Sequence, residues 1–343
     1  MKLVLLALVA GCLDPEPELA TTDQALNGET WTTVDAPESE EMISIAISPT
    51  THTVLSLGTT ATFSIYNEPI TRISHDGKTF KQSHTFPGYG YPVAITADDL
   101  GYFYVVVNDQ DFTGFHVYRS IDDGASWNQA RAFTGEVARG VSVDGSNLFV
   151  SGNGAIWRGA NRGNLWSTSL DAGDAYVQTT CNGRYDGKPA TFAIGASAGS
   201  ELVWVSLDDG ATWKVTHIAD DGPAGQEPVA CSTTPAGYLA IATEYADKSL
   251  WDAKVWAVGL NRLVASESFS GANHSALGVV ATPNYVYFTG AVGSSWSTQR
   301  LSISDGTITA VDQFTAQSGY ASLAYDPTRG LYAAVGTSVR HRQ

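Results

Sequence analysis

Acidic and aromatic residues recur in the polar segments between the apolar runs of this sequence, and their chemistry suits sugar binding. An aromatic face stacks on the apolar face of a sugar ring, while nearby carboxylates and amides hydrogen-bond to its hydroxyls. The pattern favours a surface that binds a glycan or a protein ligand; the alternative is an acidic, solvated rim with a few aromatic residues under loops. The candidate binding residues are Tyr66, Tyr89, Tyr91, Asp111, Asp174, Tyr176, Glu244, Tyr245, Trp251, Asp252, Trp296 and Tyr320.

Cleavage of a glycosidic bond would require two facing carboxylates, about 5 Å apart for retention of configuration and about 6.5–9.5 Å apart for inversion. No spacing in the sequence selects such a pair, and no G-x-S-x-G, H-E-x-x-H, P-loop or EF-hand motif is present. We therefore expect binding without catalysis, with no cofactor and no metal, and a glycoside hydrolase is the alternative. The carboxylates available to a hydrolase include Asp111, Asp174, Glu244 and Asp252.

The composition narrows the fold and the partners. The 343 residues include 19 Lys and Arg against 35 Asp and Glu, a formal net charge of −16. Phosphate binding needs clustered basic side chains, so no nucleic-acid partner is expected. Apolar residues make up 43% of the chain, and the 34 glycines with many aromatic residues are typical of short strands joined by tight turns. We expect an all-β monomer with a large core.

The positioning elements are repeated along the chain. Ser120–Trp127 and Ser206–Trp213 are nearly identical and fit S-x-D-x-G-x-[ST]-W. Degenerate copies lie elsewhere, and Gly28-Glu29-Thr30-Trp31 keeps only the second half of the motif. The spacing is typical of propeller blades, because the glycines recur at steps of 39 to 49 residues. The seven glycines are Gly28, Gly77, Gly124, Gly163, Gly210, Gly259 and Gly306.

This motif resembles the Asp-box, or BNR, repeat of sialidase-like β-propellers. The resemblance implies a seven-bladed β-propeller of four-stranded blades over residues 28–343, with each Asp-box turn between the third and fourth strands and away from the ligand face. Asp and Ser accept local hydrogen bonds in turns, Gly permits a positive φ, and Trp packs between blades. We therefore expect a structural role for Ser120, Asp122, Gly124, Trp127, Ser206, Asp208, Gly210 and Trp213.

Sialidase activity itself is disfavoured. Sialidases of this family carry an Arg-Ile-Pro motif on the first blade, an arginine triad that grips the substrate carboxylate, and a Tyr–Glu nucleophile pair. The first predicted blade, from Glu41 to Pro49, has no arginine, and Thr71-Arg72-Ile73-Ser74 lacks the proline and precedes an Asp-box. An acidic face would also repel sialic acid.

The seventh unit is too short for four strands. After the apolar run Leu331–Val335, only residues 337–343 remain for a third strand. The N-terminal segment 28–34 is predicted to supply the fourth strand beside Val339–Gln343. Such closure leaves no open edge between the first and last blades.

The first residues predict export. Lys2 and the apolar run Leu3–Ala10 read as a signal peptide over residues 1–11, because the run is too short to span a bilayer. The sequence Leu8-Val9-Ala10-Gly11-Cys12 resembles the lipobox of bacterial lipoproteins, which implies lipidation of Cys12; an ordinary signal peptide cut elsewhere is the alternative. Residues 12–27 then form a lipidated cysteine and a flexible tether. By the same resemblance, Leu13 implies an outer-membrane anchor, with secretion as the other outcome.

Export places the remaining cysteines in an oxidising compartment. Cys181 and Cys231 either form a disulfide or stay as two buried thiols, because free cysteine behaves as a small apolar residue.

Overall fold

The structure is a computed structural model of the chain. It describes residues 30–37, 40–60, 68–88, 90–219, 225–245, 250–257, 262–270, 278–292, 295–315 and 320–343. The predicted signal peptide, Cys12 and the predicted tether lie outside the described residues. Within them, no helix is long and apolar enough to span a bilayer.

The described residues are almost entirely β-strand, as the composition predicts. The single helical element among the described residues is α1 (Ala160–Gly163), a four-residue turn. Five sheets have four strands each, and every one of them follows a simple antiparallel order. These strands are β2 (Glu41–Ile47), β3 (Val54–Thr59), β4 (Pro69–Ser74) and β5 (Lys81–Thr85); β6 (Gly90–Ala97), β7 (Phe103–Asp109), β8 (Gly114–Ser120) and β9 (Asn128–Thr134); β16 (Gln226–Thr233), β17 (Tyr238–Tyr245), β18 (Leu250–Ala257) and β19 (Arg262–Ser270); β20 (Gly278–Ala281), β21 (Tyr285–Val292), β22 (Ser295–Ser302) and β23 (Ile308–Phe314); and β24 (Ala321–Asp326), β25 (Gly330–Val335), β26 (Ser338–Arg342) and β1 (Thr32–Asp35).

The described strands form six sheets, so the prediction of seven separate four-stranded sheets is wrong. The sixth sheet has six strands in the order β10-β11-β12-β13-β14-β15. They are β10 (Ala138–Asp144), β11 (Asn147–Gly159), β12 (Leu165–Tyr185), β13 (Lys188–Ser197), β14 (Ser200–Ser206) and β15 (Lys214–Ala219).

Two long strands explain this merger. β11 pairs with β10 through its first residues, up to Gly152, and with β12 through its last residues, from Asn153 to Gly159. β12 in turn pairs with β11 up to Tyr176 and with β13 from Tyr176 to Tyr185. Strand pairing thus continues across the predicted blade boundary, with an irregularity between Asp171 and Tyr176, where Gly173 has a φ of 60°.

The core lies between the faces of neighbouring sheets. Leu55 and Leu57 of β3 share one cluster with Phe103 and Val105 of β7, and all four side chains are buried. β7 is buried on both faces and reads as the continuous run FYVVVND, whereas the outer strand β9 alternates exposed and half-buried residues. Face-to-face packing of amphipathic and fully buried strands therefore stabilises the fold.

The N-terminal strand closes the last sheet, which confirms the predicted pairing. β1 lies antiparallel to β26, with Thr32 opposite His341 and Asp35 opposite Val339. The preceding residue, Trp31, is fully buried in a cluster that includes Leu331. The N-terminal segment thus supplies the outer, fourth strand of the last sheet.

Consecutive antiparallel strands place their turns at two opposite ends. In the sheet β6–β9, the turns at 98–102 and 121–127 lie at one end and the turn at 110–113 lies at the other. We call the first the Asp-box end and the second the loop face. Neighbouring sheets share this orientation, because Asp123 accepts hydrogen bonds from Thr51 (2.7 Å) and Thr53 (2.5 Å) in the β2–β3 turn.

The two remaining cysteines form a disulfide, which resolves the two alternatives that the sequence left open. Cys181 of β12 and Cys231 of β16 are bonded, with their Cα atoms 6.1 Å apart. The bond links strands that belong to different sheets.

Candidate functional site

The Asp-box turns use their polar groups locally. Ser120 donates from Oγ to Asp122 (2.8 Å), and Asp122 also accepts from the backbone N–H (2.8 Å) and the hydroxyl (2.5 Å) of Ser126. The second copy repeats these contacts around Asp208 at 2.8, 2.8 and 2.6 Å. Hydrogen bonds from the side chain and backbone of Thr212, followed by that from Ser206, lower the pKa of Asp208 to about 2.

Each of these turns also joins neighbouring sheets. Gly124 has a φ of 86°, and a Cβ there would lie 2.8 Å from Leu55 Cδ1 of the neighbouring sheet. Its carbonyl accepts a hydrogen bond from Ser83 (2.6 Å), and Gly210 accepts one from Ser169 in the same way. These turns therefore contact the neighbouring sheet and require glycine, both for the positive φ and for the close approach.

The two Asp-box tryptophans add to these contacts between sheets. Trp127 is half-buried against the cluster of β3 and β7. Trp213 is half-buried too, and its indole N–H donates to Ser169 at 2.8 Å. Such contacts give both rings a packing role between sheets.

A cavity of about 610 Å³ lies where the first strands of successive repeats meet. Apolar side chains such as Ile45, Ile95, Val141 and Leu323 share its wall with polar side chains and backbone atoms, and Arg139 is its only charged lining residue among those described. Asn108 and Phe112 line it together with seven segments from the starts of successive repeats: 43–45, 91–96, 138–141, 178–180, 229–231, 278–279 and 320–323. A concave space that combines apolar walls with placed polar groups is a usual form of a ligand site.

Aromatic rings stand at the mouth of this cavity on the loop face. Tyr91 and Phe112 stack with ring centroids 4.7 Å apart and an angle of 13° between the planes. Phe112 is 49% exposed and Tyr320 is 48% exposed, although both line the cavity. The φ of Phe112 is 55°, a conformation that costs about 1–3 kcal/mol for a residue other than glycine. Strain of this kind at an exposed ring is typical of a binding position.

A guanidinium lies beside these rings. Arg139 stacks over Tyr176, with Cζ 4.4 Å from the ring centroid. Its Nε donates to Asn153 at 2.7 Å and Nη1 to Gln178 at 3.4 Å, and no carboxylate lies within 4.0 Å of it among the described residues. The exposed guanidinium lines the cavity and therefore offers further donors that a ligand can use.

Two glutamates lie next to Tyr176. Glu227 of β16 is directly opposite Glu244 of β17 in the strand register, so both side chains project from the same face of the sheet. Burial, and then the charges of the two carboxylates, raise the pKa of Tyr176 above its usual range, and Arg139 opposes that shift. Tyr176 is therefore neutral and a poor nucleophile at neutral pH.

Asp252 and Tyr245 belong to a separate polar network. Asp252 accepts hydrogen bonds from Tyr245 (2.9 Å) and Ser268 (2.6 Å). Lys254 bonds to the fully buried Glu201 (3.1 Å) and lies 3.8 Å from Asp252. Burial, followed by the hydrogen bond to Asp252, raises the pKa of Tyr245. The group joins β14 to the sheet of β16–β19 and is structural.

The predicted ligand-binding role of two tryptophans is wrong. Trp251 is buried, stacks on Phe269 with centroids 4.4 Å apart, and donates its indole N–H to Ala291 at 2.6 Å. Trp296 is buried in the same cluster as Trp31. Both are early residues of strands β18 and β22, where the strand alternation directs their rings inward.

The structure thus sorts the other predicted residues. Tyr91, Tyr176, Glu244 and Tyr320 come together at or beside the mouth, whereas Asp111 and Asp174 are exposed on the loop-face rim. The hydroxyl and backbone N–H of Thr113 lower the pKa of Asp111. Tyr66 and Tyr89 lie outside the described residues.

Four residues of this site were not among the candidates: Phe112, Arg139, Gln178 and Glu227. Repeat alignment would have found Arg139, which stands two residues before Val141 as Tyr91 stands two residues before Val93.

No protein-family model and no curated protein matches the chain. Among solved structures, an inactive virginiamycin B lyase of Staphylococcus aureus with quinupristin is 11% identical with a TM-score of 0.64, covering 91% of this chain and 98% of that one. The fold is a β-propeller. The hydrazine synthase of Kuenenia stuttgartiensis is 14% identical with a TM-score of 0.63, covering 91% and 97% of the two chains.

The GH74 xyloglucanase of Xanthomonas campestris is 11% identical with a TM-score of 0.61. The match covers 91% of this chain and 53% of the xyloglucanase, so this chain spans about half the length of that enzyme. These matches show the shared propeller fold with its four-stranded blades. Identities this low carry no function with them, because one fold hosts many unrelated functions.

Proposed function

We propose that this propeller is an exported, lipid-anchored protein that binds a glycan or a protein ligand at the mouth of its central cavity, without catalysis. The exposed stack of Tyr91 and Phe112 carries this proposal, because it supplies an aromatic platform at the edge of a cavity of about 610 Å³. Arg139 adds unpaired donors beside the platform.

We also propose that the propeller has seven blades and that its six-stranded sheet consists of two of them. Seven segments from the starts of successive repeats line the cavity, together with Asn108 and Phe112. Ser169 in the first half of β12 contacts Gly210 as Ser83 of the fourth strand β5 contacts Gly124. The first half of β12 thus occupies the place of a fourth strand, and its second half that of a first strand.

Ligand binding is tested by calorimetry after a screen of the purified protein on a glycan array. Phe112→Ala and Arg139→Ala are expected to weaken binding about tenfold or more, because each removes a central contact. Leu263→Ala is the control, since Leu263 is exposed to a similar degree on the outer strand β19. Equal affinities of all three variants would contradict the proposed position of the site.

A glycoside hydrolase is the second candidate, and the adjacent Glu227 and Glu244 favour it. Arg72 does not offer a sialidase-like carboxylate grip, because its guanidinium is held by Asp35 (2.6 Å) and Glu40 (3.1 Å). Assays with aryl-glycosides and polysaccharides separate the two candidates. Turnover that Glu227→Gln or Glu244→Gln abolishes would establish hydrolysis, whereas saturable binding without turnover supports the first proposal.

The disulfide between Cys181 and Cys231 supports export, because such bonds persist in oxidising compartments. Mass spectrometry of the N-terminal peptide tests lipidation of Cys12. A mature chain that begins at another residue, without lipid, would contradict the proposed anchor.

A further inference from the structure

Exposed aliphatic side chains cluster at the Asp-box end of the propeller. Leu100, Ile121, Leu165 and Leu207 are between 45% and 67% exposed. Ile121 and Leu207 occupy the same position of the two Asp-boxes, and Leu165 lies in the corresponding turn of the repeat between them. A large aliphatic side chain that is exposed at the tip of a tight turn does not stabilise the fold. The recurrence of such side chains at one end therefore indicates a contact with something outside the chain.

These tips lie on one side of the molecule. The β6–β7 turn that holds Leu100 is tied to α1, because Arg162 donates to Asp98 and to Asp99, both at 3.0 Å. α1 directly precedes Leu165. The Asp-box turn that holds Ile121 is tied in turn to the β2–β3 turn through Asp123.

The chain also joins the fold at this end. Thr32 begins β1 opposite His341, one residue before the end of β26, and Arg342 lies opposite Leu331 at the start of β25. Residues 13–30 separate Cys12 from Trp31. A flexible chain of that length has a root-mean-square span of about 23 Å, so a lipid on Cys12 would hold the Asp-box end near a bilayer.

Lysines accompany the aliphatic tips. Among the described residues, every exposed lysine lies at the Asp-box end: Lys78, Lys81, Lys188 and Lys214. The turns of the same end also carry exposed aspartates, including Asp122 and Asp208. Lysine ammonium groups can pair with lipid phosphates while neighbouring aliphatic side chains lie deeper in the interface.

We propose that the Asp-box end lies against a lipid bilayer, with Leu100, Ile121, Leu165 and Leu207 in its interfacial region. This inference rests on the proposed lipid anchor. It turns the mouth of the cavity away from the membrane and towards ligands in the surrounding medium. Partial insertion of aliphatic tips beside lysines is the usual arrangement of interfacial membrane contacts.

The test compares two ends of one strand. Leu100→Cys and Asp111→Cys place a fluorescent label before and after β7, about 24 Å apart along the strand. The labelled full chains are reconstituted in vesicles of phosphatidylethanolamine and phosphatidylglycerol that contain brominated acyl chains. Bromine is expected to quench the label at Leu100→Cys at least about threefold more strongly than the label at Asp111→Cys, because quenching needs contact at membrane depth.

Substitutions at the two ends test the side chains. Ile121→Ser, Leu165→Ser and Leu207→Ser together should abolish this difference in quenching. Leu250→Ser is the control and should preserve it, because Leu250 is 40% exposed and begins β18 on the loop face.

The outcomes separate the contact from the anchor and from ligand binding. Equal quenching of the two labels, or stronger quenching of Asp111→Cys, overturns the bilayer contact whether or not Cys12 carries lipid. Stronger quenching of Leu100→Cys in a chain whose Cys12 lacks lipid supports the contact and contradicts the anchor. Failure of the ligand assay at the cavity mouth leaves the quenching result unchanged.

Discussion

Replacing Trp31 with alanine tests how much the closing strand contributes to stability. The ring is fully buried against residues of β25 and against Trp296 of the preceding sheet, so Trp31→Ala leaves a large cavity at the junction of two sheets. Such substitutions cost about 3–5 kcal/mol. With an unfolding entropy of about 2 cal/mol/K per residue, a domain of this size should lose about 6 °C in melting temperature.

Thermal and urea unfolding followed by circular dichroism measure the effect. Trp127→Ala is the control. Because Trp127 is only half-buried, this substitution should lower the free energy of unfolding by less, about 1–3 kcal/mol. Deleting residues 13–27 should leave stability unchanged, whereas deleting residues 13–35 removes β1 and should cause aggregation or a large fall in melting temperature. An unchanged melting temperature for Trp31→Ala, or equal stability of the two deletions, would refute the closing role of the N-terminal segment.

Three further changes have defined outcomes. Arg340→Met should lower the free energy of unfolding in urea by about 3–5 kcal/mol, because it leaves buried Asp312 without the two hydrogen bonds (2.8 Å each) that Arg340 donates. Adding Asp312→Asn to this variant should recover part of the loss if the unpaired charge is the cause. Acidification should lower the melting temperature between about pH 4 and pH 2, since the pKa of Asp208 is lowered to about 2 on folding and its contribution is lost as the pH falls through that value; an unchanged profile for Asp208→Asn would contradict this. Replacing both Cys181 and Cys231 with serine should cost about 2–4 kcal/mol, because their disulfide closes a loop with a sequence separation of 50, and reduced wild-type protein should show the same loss.

Local patterns in the sequence determined the repeat and its turns. Ser120, Asp122, Gly124 and Ser126 bond to one another within seven residues, so their conformation needs no distant partner. The place of the N-terminal strand also follows from the sequence. The last repeat lacks its fourth strand at the C-terminus, and the N-terminal segment carries the second half of an Asp-box. Both the short-range hydrogen bonds of a turn and the number of strands in each repeat can be read from the sequence.

Tertiary structure alone decided which side chains face a ligand. Trp251 and Trp296 precede or follow loops in the sequence, yet strand register turns their rings into the core, because a shift of one residue moves a side chain to the other face. The merger of two repeats through β12, the bond between Cys181 and Cys231, and the meeting of Arg139 with Tyr176 all depend on contacts between separate parts of the chain. Residues so distant in sequence meet only once the sheets have packed, and no local pattern encodes that geometry.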